Sequence, residues 1–145
     1  SLYNHTMMYR ETKLERYMKQ AEHIADFLVN NPNLPKDGIP YWDYNAPGIP
    51  DATRDASAGA IMASALIELS SYVEPEKGKS YVKVAEIQIR TLSSPIYTAN
   101  RGGNGNFVLM HSVGSIPANS EVDVPLTYAD YYYIEAMMRY RKLKL

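Results

Sequence analysis

Three aspartates fall close together in one Pro-rich stretch of this chain: Asp43, Asp51 and Asp55, spread over Tyr-Trp-Asp-Tyr-Asn-Ala-Pro-Gly-Ile-Pro-Asp-Ala-Thr-Arg-Asp. Two carboxylates flanking a scissile bond can share general acid and base work. Each has a simpler reading. Asp55 stands directly before an Ala-rich run, where its side chain can accept from the free N–H groups that open a helix. Asp43 lies in a turn-forming segment, where an Asp side chain accepts from its own backbone. Structural roles are therefore assigned to both, and no residue is assigned as catalytic. Arg54 carries a planar fork that suits a sugar carboxylate, with pairing to Asp51, Asp55 or Asp130 as the alternative. Trp42 offers either a stacking face or an anchor for its loop. Asp130, at the start of the last apolar-periodic run, is given a structural role by the helix dipole. The histidines His5, His23 and His111 are far apart and form no i,i+4 pair, so no metal site is expected. The chain has no cysteine, which removes disulfides, thiolate zinc sites and a Cys nucleophile.

These residues need elements to position them. Leu2 to about Glu11 has helix-compatible apolar spacing, and about Lys13 to Asn31 places Tyr17, Ala21, Ile24, Ala25 and Leu28 on one face. Asn30, Asn31 and Pro32 stop that helix. A loop over 32–53 follows. A helix from Asp55 or Ser57 to about Tyr72 then has Ala58, Ile61, Met62, Ala65, Leu66 and Leu69 as its stripe, with small residues that admit a close neighbour. Glu74 to Gly78 reads as a polar turn, Lys79 to about Leu92 as an amphipathic helix, and Ser94 and Pro95 as its end. Residues 95–126 are punctuated by Gly and Pro, with Phe107 to Met110 as a short extended piece. A last helix runs from about Thr127 to Arg141. No alternating strand set, dividing linker or short repeat is evident, and the pattern is that of helical hairpins in an all-α toroid, read as a single domain over 1–145.

Composition narrows the partners. Fifteen Lys+Arg against sixteen Asp+Glu leave a formal net charge of −1, so no basic surplus favours nucleic acid or an anionic membrane. No apolar run approaches the ~20 residues of a membrane span. Thirteen Tyr against two Phe suit a wet, polar cavity or the edges of helix contacts.

Three linked stretches carry a resemblance. Tyr41 to Tyr44 matches a Tyr-Trp-Asp-(Phe/Tyr) loop. Arg54 to Ala58, with Ala65 to Leu69 beyond it, matches Arg-Asp-Ser-Ser-Ala leading into an Ala-rich helix that ends in Leu-Leu-Glu. Tyr128 to Arg139 matches Tyr-Ala-Asp-Tyr-Tyr-(Phe/Tyr)-Leu-Glu-Ala-Leu-Leu-Arg, with Ile134 and Met137 as mild substitutions. In this order they resemble the unsaturated glucuronyl hydrolases, glycoside hydrolase family 88.

The resemblance implies part of an (α/α)6 barrel that removes 4,5-unsaturated uronic acid from lyase-generated oligosaccharides. In that family an Asp protonates the vinyl-ether double bond and helps water add, without a cofactor. The family's two key aspartates lie upstream of a Trp-x-Arg-Gly-Gln-Ala-Trp motif that has no counterpart here. The chain is therefore expected to be a C-terminal portion, truncated at its N-terminus and inactive alone, that self-associates or pairs with the missing portion. The implied partner is an oligosaccharide with an unsaturated uronate at its non-reducing end, in a soluble protein of the bacterial cytoplasm or periplasm. The resemblance also makes His111, Ser112 and Ser115 substrate-binding candidates beside Trp42 and Arg54, because this loop lines the position of the sugar next to the uronate. Pro117 stands where a basic residue helps some relatives hold sulfate, which points away from a sulfated sugar there. The alternative is an inert carbohydrate-binding or helical interaction module.

Overall fold

The computed structural model describes residues 1–144. Five helices dominate it: α1 (Leu2–Thr12), α2 (Glu15–Val29), α3 (Ala56–Leu69), α4 (Pro75–Leu92) and α5 (Thr127–Lys144). Two short antiparallel strands, β1 (Ser112–Ser115) and β2 (Ser120–Val124), precede α5. The all-α expectation holds, with one small two-stranded hairpin that the sequence pattern did not place. Its alternation is only four or five residues long and is interrupted by Gly114 on β1, too short a period to stand out in sequence.

The helices form two layers. α1 packs on α3 and α3 on α5, while α2 and α4 back them as the second members of the α1–α2 and α3–α4 hairpins. α3 is the centre, because eight of its fourteen residues are Ala, Ser or Gly and its backbone can approach α4 and α5 closely. Ala60, Ala63, Ala65, Leu66 and Leu69 are buried completely or nearly so.

Ion pairs tie both layers together. Glu68 of α3 accepts from Arg10 of α1 at 3.1 Å and from Arg139 of α5 at 2.7 Å. Glu135 of α5 accepts from Ser64 Oγ at 2.5 Å and from Tyr3 OH at 3.1 Å. Burial and the adjacent Glu135 carboxylate push the Tyr3 phenol up to about 12. In the other layer Lys77 of α4 pairs with Glu22 and Asp26 of α2, and Tyr81 OH donates to Asp26 at 2.5 Å.

The polar stretch Glu74 to Gly78 departs from the expected turn: it forms the first turn of α4. Pro75 opens the helix, where its missing N–H costs nothing. Gly78 is dictated by packing, since a Cβ there would lie 2.5 Å from the Ser70 carbonyl oxygen. On the far side of α5, Tyr131, Ile134 and Met138 are 59%, 44% and 58% exposed. Met7 and Met8 of α1 are half-buried.

Candidate functional site

Three separate segments meet at the N-terminus of α3. Pro40 to Trp42 runs beside Thr53 to Asp55 as a narrow ribbon: Tyr41 bridges Arg54, Trp42 N–H donates to Thr53 O at 3.0 Å, and Asp55 N–H donates to Pro40 O at 2.9 Å. The long second loop joins them, with Ala56 N–H donating to His111 O at 3.0 Å. Asp55 sits at this junction. Its Oδ1 accepts from Ser57 N at 2.9 Å, Ser57 Oγ at 2.7 Å and Val113 N at 3.2 Å, so one carboxylate caps α3 and holds the start of β1.

Arg54 is committed to the loop. Its Nε donates to Ile39 O at 2.8 Å, its NH2 group pairs with Asp37, and its guanidinium lies 5.1 Å from the Tyr41 ring centroid. The partner is Asp37 instead of the expected Asp51, Asp55 or Asp130, because the ribbon carries Arg54 back alongside Ile39. Asp37 is in turn fixed, with Ile39 N–H donating to its Oδ1 and Thr91 Oγ1 to its carbonyl. One edge of Arg54 still lines a cleft of about 370 Å³ with Thr53, Ile96, Tyr97, His111 and Asp123.

Trp42 lies on the opposite side of the ribbon. It lines a mainly apolar hollow of about 270 Å³ with Leu2, Tyr3, Tyr41, Tyr44 and Met62. The Tyr44 hydroxyl is buried there without a partner, and burial pushes its pKa up to about 12. Asp43 faces outward and accepts from Asn45 N at 2.7 Å. The structure thus places Trp42 and Arg54 in two different recesses.

The second loop holds the remaining candidates. Ser112 is fully buried and its hydroxyl has no hydrogen-bond partner. Ser115 is half-buried and accepts from Ala118 N at 3.4 Å inside the hairpin turn. His111 Nδ1 donates to Asp123 Oδ1 at 2.7 Å, and the imidazole packs edge-on against Tyr97. Asp130 Oδ2 and Oδ1 accept from Val108 N and Leu109 N, each at 2.8 Å, which pins the expected extended piece to α5. That piece pairs Thr98 with Leu109 instead of forming a longer strand. Asp37, Tyr97 and Asp123 were not singled out from the sequence. Only Asp123 carried a local signal, as one of two acidic residues alternating with valines in Ser-Glu-Val-Asp-Val.

Among the described residues no cluster of three or more His, Asp or Glu could hold a metal, and no helix is long and apolar enough to cross a membrane. No protein-family model matches the chain. It is 46% identical, over all 145 residues, to an unsaturated glucuronyl hydrolase of Formosa agariphila, of which it covers 36%. Among solved structures, an unsaturated glucuronyl hydrolase described as specific for heparin matches 99% of the chain at 49% identity and a TM-score of 0.95, through 38% of its own length. A mutant unsaturated glucuronyl hydrolase from Streptococcus agalactiae, complexed with dGlcA-GalNAc6S, matches 97% of the chain at 28% identity and a TM-score of 0.84. The chain spans about a third of the length of the proteins it matches.

Proposed function

From the premise that this chain corresponds, over its whole length, to a segment of an unsaturated glucuronyl hydrolase, we propose that it is the C-terminal portion of an enzyme of that kind. The carrying observation is the superposition at a TM-score of 0.95 with 49% identity. The two-layered helical arrangement is then an arc of an (α/α)6 barrel, and the loops gathered at the N-terminus of α3 form part of the rim of its cavity.

The proposed substrate is an oligosaccharide with a 4,5-unsaturated uronate at its non-reducing end, and the reaction is hydration of the vinyl ether. The acid that protonates the double bond is assigned to the rest of the polypeptide. Asp43, Asp55 and Asp130 are all occupied as acceptors of backbone N–H groups, so each is engaged in holding its own segment of the fold. This chain contributes positioning: Trp42 as an apolar wall, and Arg54, His111 and Ser115 as polar groups on the rim. Ser112 is buried at the start of β1 and is given no contact with the sugar.

Heparin-derived substrates are the favoured class. The nearer of the two structural neighbours is described as specific for heparin, while the hairpin turn Ile116-Pro117-Ala118-Asn119 offers no basic side chain to a sulfate, which within that class favours a disaccharide whose sugar next to the uronate is unsulfated. Incubating the full-length enzyme with unsaturated disaccharides from heparin and from chondroitin 6-sulfate tests both points. Loss of the ultraviolet absorbance of the conjugated uronate, faster with the heparin disaccharide, is expected. No loss with any unsaturated uronide would overturn the hydrolase assignment, and preference for the 6-sulfated chondroitin disaccharide would overturn the substrate class.

A further inference from the structure

The β1–β2 hairpin contains one residue more than its pairing requires. Ser112 lies opposite Val124 and Val113 opposite Val122, so Asp123 has no counterpart on β1. An extra residue of this kind bends its strand and re-aims a side chain out of the normal alternation. Asp123 adopts φ 55°, and His111, immediately before β1, adopts φ 65°. Both are in the left-handed region, which L-residues occupy at a cost. The two strained residues face each other, and His111 Nδ1 reaches Asp123 Oδ1 at 2.7 Å.

Stability does not account for this arrangement. The two side chains are 43% and 55% exposed, and so open a pair contributes little to folding. The pairing does fix the ring. A carboxylate only accepts, so Nδ1 carries a proton and Nε2 is the nitrogen left to meet a ligand. The imidazole lines the cleft of about 370 Å³ whose other walls include Thr53, the exposed edge of Arg54, and Tyr97. Polar groups beside an aromatic wall suit a sugar, whose ring offers both hydroxyls and an apolar face.

We propose that Asp123 is a positioning residue: the bulge in β2 aims its carboxylate at His111 and holds the imidazole so that Nε2 meets a hydroxyl of the bound oligosaccharide. The identity of the ligand rests on the hydrolase reading; the orientation of His111 does not.

Two measurements test this separately. In the full-length enzyme, Asp123→Ala should raise KM for the unsaturated disaccharide roughly five- to tenfold, the loss of about one hydrogen bond, with kcat little changed. Asp123→Asn keeps an acceptor and should fall between the two, which also covers the case in which the alanine variant folds poorly. In protein labelled with 15N-histidine, His111 should give the Nδ1-protonated signature in the wild type and move toward the Nε2-protonated tautomer in Asp123→Ala. An unchanged tautomer overturns the positioning role, and an unchanged KM overturns the contact with sugar. A lowered melting temperature with KM and tautomer both intact would reduce Asp123 to a clasp for the hairpin and overturn the proposal. A wild-type enzyme inactive on every unsaturated uronide would sink the hydrolase reading alone, since the tautomer is read without substrate.

Discussion

Asp130 holds the second loop to α5, and removing its charge should cost stability without removing chemistry. Its two carboxylate oxygens accept from Val108 N and Leu109 N at 2.8 Å each. Val108 is 36% exposed, so its freed N–H can turn to water, whereas Leu109 is completely buried. A hydrogen bond to a charged group contributes about 1.5–3 kcal/mol, a neutral one about 0.5–1.5 kcal/mol. In Asp130→Asn the amide can still accept one N–H, but its NH2 group must then point at the other. One charged bond is lost and the second becomes neutral. Loss of a carboxylate from the first turn of α5 adds roughly 0.3–1 kcal/mol. Partial rescue by water brings the expected destabilisation to about 2–3 kcal/mol, and Asp130→Ala should exceed it. Urea unfolding of the full-length enzyme would measure this, alongside turnover per folded molecule at a temperature where the variant stays native. Turnover within about twofold of wild type is expected, since a purely structural change leaves the transition-state contacts intact. An unchanged unfolding midpoint with a large fall in turnover would show that Asp130 touches the reaction.

Three further outcomes follow from the packing. Gly78→Ala places a methyl 2.5 Å from the Ser70 carbonyl oxygen, so α4 must shift; a loss of about 1–3 kcal/mol in chemical unfolding is expected, and a neutral or stabilising result would show that the α3–α4 junction is looser than described. Burial alone would raise the Asp26 carboxyl, but hydrogen bonds from Tyr81 and Lys77 outweigh it and hold the pKa below its ordinary 3.8. A carboxyl depressed in the folded state contributes stability that is complete above its unfolded pKa and is lost as pH falls through the folded one. The unfolding midpoint should therefore fall with acidification below 3.8, less steeply in Asp26→Asn, and identical profiles for the two proteins would refute the pairing. The chain by itself should not turn over an unsaturated disaccharide, because it spans about a third of the enzymes it matches, and the exposed Tyr131, Ile134 and Met138 should draw it into oligomers. Activity of the isolated chain, or a monomer by light scattering at high concentration, would contradict this.

The helices were legible in the sequence because their signals are local. Apolar residues three and four apart fix which face of α2 and α4 turns inward, whereas α3 is buried on nearly every side, Ala60, Ala63 and Ile67 included, with Ala58 and Ile61 of the expected stripe only half-buried. The Asp before its Ala-rich run has its helix-capping partner, Ser57 N, only two residues away. The resemblance to the hydrolases was carried by the same short, contiguous stretches. What the sequence left open depends on contacts between distant residues. Arg54 has three acidic residues nearer to it or better placed by motif, yet it pairs with Asp37, because only the folded ribbon shows which carboxylate lies beside Ile39. His111 gains Asp123 through a one-residue bulge, and no periodicity announces an extra residue in a five-residue strand. Ser112 and Ser115 look alike in sequence, but one is sealed at the start of β1 and the other, at its end, accepts from the turn. Periodicity decides which elements form, since each turn of helix is stabilised by its own neighbours. The direction in which a loop side chain points is decided by the backbone on the far side of the contact, and that exists only once the chain has folded.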